Sequence, residues 1–294
     1  MVFIKEEGKF SENSYLIDGL IFRLPKQLAL YVIENGGKKV LIDAGVKLAI
    51  RKVFNKMKEF GLTPIDEIIL THSHWDHIQG FNRIKKLNGA EIKVYASENA
   101  IERLKNPEKM NNIFGYDTEP IENVNPLKEG DIIDVNGLEL EILNFFGHTM
   151  DSIAILDRKN KIIYTGDAII DRYDYNTVNG VFMPPDFNEE ELLKTFQKLR
   201  DLKNDIDMIC LNHFGVWTNE DCDKIINEME EIHFKTKEAI IKWYNEKPDL
   251  HYIAKQYHKT FLSESTIHTK ENIHGLELVI SWLINGLKLS GYID

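Results

Sequence analysis

Three histidines and an aspartate crowd into six consecutive positions, His72-x-His74-x-Asp76-His77, within "THSHWDHIQGF" (Thr71–Phe81). Side chains at i and i+2 of a regular helix project to nearly opposite sides, so these four cannot converge from one. They can converge from an irregular turn on a rigid base. The apolar "DEIILT" (Asp66–Thr71) just before it reads as a short buried strand that supplies the base. One turn cannot surround anything placed before it, so partners must arrive from elsewhere in the chain.

The order of elements shows where from. "LALYVIEN" (Leu28–Asn35) and "KKVLIDAG" (Lys38–Gly45) flank Gly36-Gly37, a hairpin signal. "VKLAIRKVFNKMKEFG" (Val46–Gly61) has helical apolar spacing with Gly61 as its stop. "IKVYAS" (Ile92–Ser97) is another strand, and "DIIDVNGLELEILNF" (Asp131–Phe145) is a hairpin around Asn136-Gly137. "SIAILD" (Ser152–Asp157) and "KIIYTGD" (Lys161–Asp167) follow as strands, then a long loop from Ile170 to Asn188. "NEEELLKTFQKLRDL" (Asn188–Leu202) is a helix with an Asn cap and an acidic first turn, and "DIDMICLNH" (Asp205–His213) returns to strand, burying Cys210 at its end. From Thr218 onward the character is helical, with Pro248 as a break. The expected division is a mixed α/β body over 1–218 and a helical extension over 219–294.

Bulk composition sets limits. With 43% hydrophobic and 28% charged residues, the 294-residue chain is an ordinary folded protein. No apolar run approaches the roughly 20 residues of a membrane span, and "MVFIKEEGKF" has no signal-peptide pattern, so the expected location is cytoplasmic. Two cysteines, Cys210 and Cys222, make neither a disulfide framework nor a four-sulfur site. A net charge of -11 repels a phosphate backbone on average, which argues against nucleic acid as a partner.

Imidazole nitrogen and carboxylate oxygen together are ligands for divalent metal ions. Three further groups have the right setting for distant partners: His148 in "NFFGHTMDS", Asp167 in "IIYTGDAII" and His213 in "ICLNHFG". Each follows a strand and sits beside a glycine, where loops on an α/β scaffold carry sites. A lone His or Asp at a strand end is usually a satisfied turn residue. The distribution argues otherwise here: of ten histidines, five are His72, His74, His77, His148 and His213, and the other five all lie in the helical extension.

In order, His72-x-His74-x-Asp76-His77, His148 in "GHT", Asp167 in "TGD" and His213 resemble the motifs of the metallo-β-lactamase-fold hydrolase superfamily, and "LIDAG" with Asp43 resembles its first motif. The resemblance covers roughly residues 10 to 218. It implies a four-layer αβ/βα sandwich with metals on one edge, here followed by a C-terminal helical extension. It implies that His72, His74 and His148 hold one divalent ion, that Asp76, His77 and His213 hold a second, and that Asp167 bridges them. Asp43 would orient ligands from behind. The chain departs from the common pattern in carrying Asp151 where "GHTxGS" has a Gly, and a single glycine in Ile78-Gln79-Gly80. Both changes fall on loops beside the site rather than on ligands.

The activity so implied is a binuclear metal-dependent hydrolase in which a metal-bridged hydroxide attacks a small ester, thioester or lactone, with Asp76 orienting it and shuttling its proton. Zinc is the expected metal, with iron or manganese compatible with the same ligands. Tyr173 and Tyr175, with Phe214 and Trp217, fall where the pocket lip is expected, and a tyrosine there can donate to an oxyanion, although packing the loop is the commoner role for such aromatics; Trp75 is expected to pack. The rival readings are a phosphodiesterase or nuclease of the same fold, disfavoured by the acidic charge, and a di-iron redox protein. The redox relatives typically carry Glu at the position of His74 and an added flavin module. The extension reads as a three-helix or winged-helix-like cap. Its nine Lys/Arg against thirteen Asp/Glu favour packing, or homo-oligomerisation, over DNA binding. Its histidines (His233, His251, His258, His268, His274) show no ligand spacing and read as surface or packing residues, although one could reach over the site.

Overall fold

The computed structural model describes residues 3–269 and 272–294. Two seven-stranded sheets form the body. The first runs in chain order from Gly8–Lys9 through Ser14–Asp18, Ala29–Asn35, Lys38–Ile42, Glu67–Leu70 and Lys93–Ser97 to Val124–Leu127. Its last four strands are parallel. The second runs in space from Phe3–Ile4 through Val216–Thr218, Met208–Cys210, Ile162–Tyr164, Ile153–Asp157 and Leu138–Asn144 to Ile132–Val135.

Strand alternation explains the layers, because successive side chains point to opposite faces. In Ala29–Asn35, Leu30 and Val32 join the core under the helices Ile50–Glu59 and Phe81–Asn88, while Ala29, Tyr31 and Ile33 join the core between the sheets. In the second sheet Ile153, Ile155 and Tyr164 face that same central core. Ala154, Leu156 and Ile163 face outward against Leu192 and Phe196 of the helix Glu189–Asp201. The result is helix, sheet, sheet, helix, the four-layer sandwich the sequence implied. Each fully buried Leu or Ile in it is worth roughly 1.5–3 kcal/mol relative to exposure.

Both predicted hairpins form. Gly36 and Gly37 take φ of 55° and 87°, and Asn136 and Gly137 take 48° and 91°, the positive values a two-residue hairpin requires. The tips clasp each other, Asn136 Nδ2 donating to the Gly36 carbonyl at 2.8 Å. Asn188 caps its helix as expected, its side chain accepting from the Glu191 amide at 3.1 Å.

Three expectations are corrected. The helix expected from Val46 begins at Ile50, because Val46–Ala49 form a turn closed by Ala49 N–H to Val46 O at 3.1 Å. The expected loop Ile170–Asn188 contains a hairpin, Asp171–Asp174 with Thr177–Asn179, whose strands are too short to show periodicity. The strand expected to reach His213 stops at Cys210, and a tight turn closed by Leu211 N–H to Gly215 O returns the chain as Val216–Thr218.

Beyond Thr218, the described residues form the helices Glu220–Glu246, Leu250–Phe261 and Ile273–Leu289 and no strand. Met229, Ile240, Tyr257, Ile280 and Leu283 from these helices share a continuous core with the outward face of the second sheet. The last helix passes hard against the body at Gly286, where a Cβ would lie 2.2 Å from the Phe182 carbonyl oxygen. Among the described residues no helix is long and apolar enough to cross a membrane.

Candidate metal centre and its cavity

Every predicted ligand lies just past the carboxyl end of a strand. Leu70 ends its strand and Thr71–His74 run irregularly into the short helix Trp75–Ile78, which carries Asp76 and His77 on its first turn. His148 follows the strand ending at Asn144, Asp167 the one ending at Tyr164, and His213 the one ending at Cys210. The structure brings all seven groups together in two buried sets, His72, His74, His148 with Asp167, and Asp76, His77, His213; within each set the ligand-type atoms lie within 4.8 Å of one another.

Asp167 Oδ2 stands between the sets. It is 3.1 Å from His77 Nε2, 3.4 Å from His213 Nε2, 3.8 Å from His72 Nε2 and 3.9 Å from His148 Nε2. Asp76 Oδ2 lies 3.2 Å from His213 Nε2 and 3.8 Å from His77 Nε2. The inward nitrogens of His74 and His148 face each other at 3.0 Å.

The outward nitrogens are all held by oxygen. His72 Nδ1 faces Thr71 Oγ1 at 3.1 Å, and His74 Nε2 donates to the Pro184 carbonyl at 2.9 Å. His148 Nδ1 donates to Val181 O at 2.7 Å and His213 Nδ1 to Gln27 O at 2.6 Å. His77 Nδ1 donates to Asp43 Oδ2 at 2.8 Å. Such an outer hydrogen bond fixes tautomer and ring orientation and leaves the inner lone pair for a cation. Asp43 is fully buried; it also accepts from the Thr71 amide at 2.7 Å, the Thr71 hydroxyl at 2.8 Å and Asn212 Nδ2 at 2.7 Å. It thereby ties the ends of three strands together.

The residues fit a pair of divalent ions by a direct test. His72 Nε2 and Asp167 Oδ1 are buried and, among the described residues, have no hydrogen-bond partner, although both belong to the convergent sets. Burial pushes His72 well below the ordinary imidazole value and takes His74 and His148 down to about 4, so all three present neutral lone pairs. Burial also opposes charge on His77 and His213. There the facing carboxylates, Asp167 first, outweigh it and raise both pKa values well above normal. Asp171 sits nearby with its pKa raised well above the carboxylate range by burial.

A cavity of about 320 Å³ opens over the centre and is lined by His74, Asp76, His148, Asp167 and His213. Its other walls are largely apolar: Phe22, Leu24, Phe114, Met183 and, from the last helix, Trp282. Tyr173 lines it as expected. Tyr175 does not: it packs edge-on against Trp217 and donates to Asp221 at 2.6 Å on the protein surface. Phe214 and Trp217 are also not at the lip; both are buried, Trp217 stacked on Phe3 at 4.0 Å. Trp75 lines the cavity instead of only packing, stacked on Tyr116 at 3.8 Å. Asp171, Phe22, Phe114 and Trp282 were not anticipated as cavity residues, and His268 is the extension histidine that reaches the site. No local spacing marks them, since the fold brings them in from five separate elements.

The metallo-beta-lactamase superfamily model matches residues 25–213. A probable metallo-hydrolase of Methanocaldococcus jannaschii is 29% identical over 174 residues, 57% of this chain and 74% of its own length. An acyl-coenzyme A thioesterase of Gallus gallus is 22% identical over 214 residues, 65% of this chain and 74% of its own. A solved structure of a metallo-beta-lactamase family protein from Thermus thermophilus superposes with a TM-score of 0.66 at 19% identity, covering 95% of this chain and 94% of that one. With the family's model spanning well over half the sequence, this chain belongs to the metallo-beta-lactamase superfamily.

Proposed function

We propose that the chain is a metal-dependent hydrolase with two divalent ions, zinc as first choice, that opens an ester, thioester or lactone bond in a small, largely apolar substrate. His72, His74 and His148 would hold one ion, Asp76, His77 and His213 the other, and Asp167 both. Bound there, the pair supplies an activated water near neutral pH and polarises the electrophilic carbonyl. The observation carrying this reading is the position of Asp167 Oδ2, within 4 Å of imidazole nitrogens from both sets.

The chain's own groups do the rest. Asp76 faces the cavity as a carboxylate; it would orient the attacking water, accept its proton at Oδ2 and pass that proton to the leaving group. Tyr173, whose pKa burial raises, stays protonated and donates to the developing oxyanion. The Trp75, Phe114 and Trp282 walls exclude water and hold the acyl part. The thioesterase named above lends the thioester class its place in the reading.

The test is a panel of chromogenic esters, thioesters, lactones and phosphodiesters on metal-replete protein and on Asp167→Ala, with elemental analysis of protein purified without added metal. Turnover of carboxylic substrates that Asp167→Ala abolishes, together with its loss of metal, is expected. Cleavage of phosphodiesters alone, or an Asp167→Ala protein with full metal and full activity, refutes it.

A further inference from the structure

We propose that His268, on the connector between the second and third C-terminal helices, contacts the substrate directly, its Nε2 hydrogen-bonding an uncharged polar group such as an amide set several bonds from the bond that is broken. The proposal rests on the hydrolase reading only for which bond that is.

His268 lines the same cavity as His74, Asp76, Asp167 and His213. It is 8% exposed, and its Nε2 has no hydrogen-bond partner among the described residues. Buried polar atoms are rarely left unmet, because losing water without a replacement is costly. The residue lines the cavity and the atom itself is covered, so a small turn of the ring offers an unmatched nitrogen to a ligand. The ring packs edge-on against Tyr173, centroids 6.2 Å apart, and Tyr173 in turn lies 5.8 Å from the His213 ring. His268 thus stands within two ring spacings of the metal centre, with Tyr173 between. That is too remote for the reacting carbonyl and well placed for a group farther along the substrate.

The connector is pinned so that the ring stays there. Ser265 Oγ accepts from the amides of Ile267 at 3.2 Å and His268 at 3.0 Å. The same hydroxyl bonds Thr177 Oγ1 at 2.7 Å, on the buried hairpin that also carries Asp171 and Tyr173. Burial, reinforced by His258, lowers the pKa of His268 to about 4, so at neutral pH the ring is uncharged and offers one donor and one acceptor. Trp75, Phe114 and Trp282 nearby suit hydrocarbon. The combination selects an apolar molecule carrying an isolated neutral polar group.

Calorimetric binding to the full-length, zinc-loaded chain tests this independently of turnover, with N-phenylbutanamide as probe and butylbenzene as its amide-free counterpart. Wild type is expected to bind the amide more tightly. His268→Ala is expected to weaken the amide about tenfold while leaving butylbenzene within about twofold, the size of one lost hydrogen bond. His268→Gln, which restores a donor and acceptor, recovers most of the difference. An amide affinity unchanged in His268→Ala, an equal loss for both probes, or a wild type that prefers butylbenzene overturns the assignment. Amide binding that depends on His268 in a protein that turns over no ester, thioester or lactone sinks the hydrolase reading and leaves this one standing.

Discussion

Two glycines on the last helix make a paired experiment with opposite expected signs. At Gly286 an added Cβ would sit 2.2 Å from the Phe182 carbonyl oxygen and 3.0 Å from the Met183 carbonyl carbon. These are backbone atoms, and no rotamer change relieves them. Helix or loop must move by about an ångström, an overpacking cost of roughly 1–3 kcal/mol. Replacing an interior helical glycine by alanine returns only about 1 kcal/mol of propensity. Gly286→Ala should therefore destabilise by about 1 kcal/mol, the middle of a net range of roughly 0–2 kcal/mol. At Gly275 the nearest atoms are 3.2–3.5 Å away and belong to the side chain of Asn272, which is exposed and can swing aside. Gly275→Ala, in the first turn, should stabilise by about 0.5 kcal/mol. Urea unfolding of both variants, followed by tryptophan fluorescence under identical metal-free conditions, reads the two values. If both substitutions shift stability in the same direction, the close contact between the last helix and the Phe182 segment is not as described.

Asp43→Ala removes the acceptor for four buried donors and should weaken metal binding about 10–100-fold through loss of orientation at His77; chelator competition that finds affinity unchanged contradicts this. In the metal-free protein, stability should fall as pH drops from about 6.5 to 4: the unfolded chain protonates its histidines across that window, whereas His74, His148 and His268 wait until about 4 and His72 is likewise held well below its ordinary value. His77 and His213, with raised values, contribute fully throughout that window, and Asp171 and Asp18, whose raised values pull the other way, are outnumbered by the four lowered histidines. A flat profile of urea midpoint against pH refutes the burial argument, and His268→Gln should lessen the slope by one proton. Trp282→Ala should raise KM for an octanoate ester at least several-fold more than for the acetate and leave metal content intact; an equal change for both chain lengths would place Trp282 outside the acyl site.

Much of the centre was readable because its residues announce themselves locally. Thr71–His77 is a run that no helix or strand can use for packing, and Gly147, Gly166 and Gly215 flag the other ligand loops beside their strands. Hairpins set by Gly36-Gly37 and Asn136-Gly137 were legible for the same reason: the turn demands particular residues. The cavity walls were not. Trp282 sits on a helix apolar nearly all round, so periodicity could not say which face meets the body. Trp217 was misplaced because a three-residue strand, Val216–Thr218, carries no alternation long enough to read, and Tyr175 because it sits at the turn of the unforeseen hairpin; both rings meet at Phe3.

The oxygen clamp on the far side of each imidazole has a practical consequence. Five rings locked by carbonyls, a hydroxyl and a carboxylate are already aimed, so an arriving cation has little left to arrange. Here, unlike in a zinc finger, capture of the ion is not the event that builds the domain. Stripping with a strong chelator should leave far-ultraviolet circular dichroism essentially unaltered, and activity should return on simple readdition, without a refolding lag.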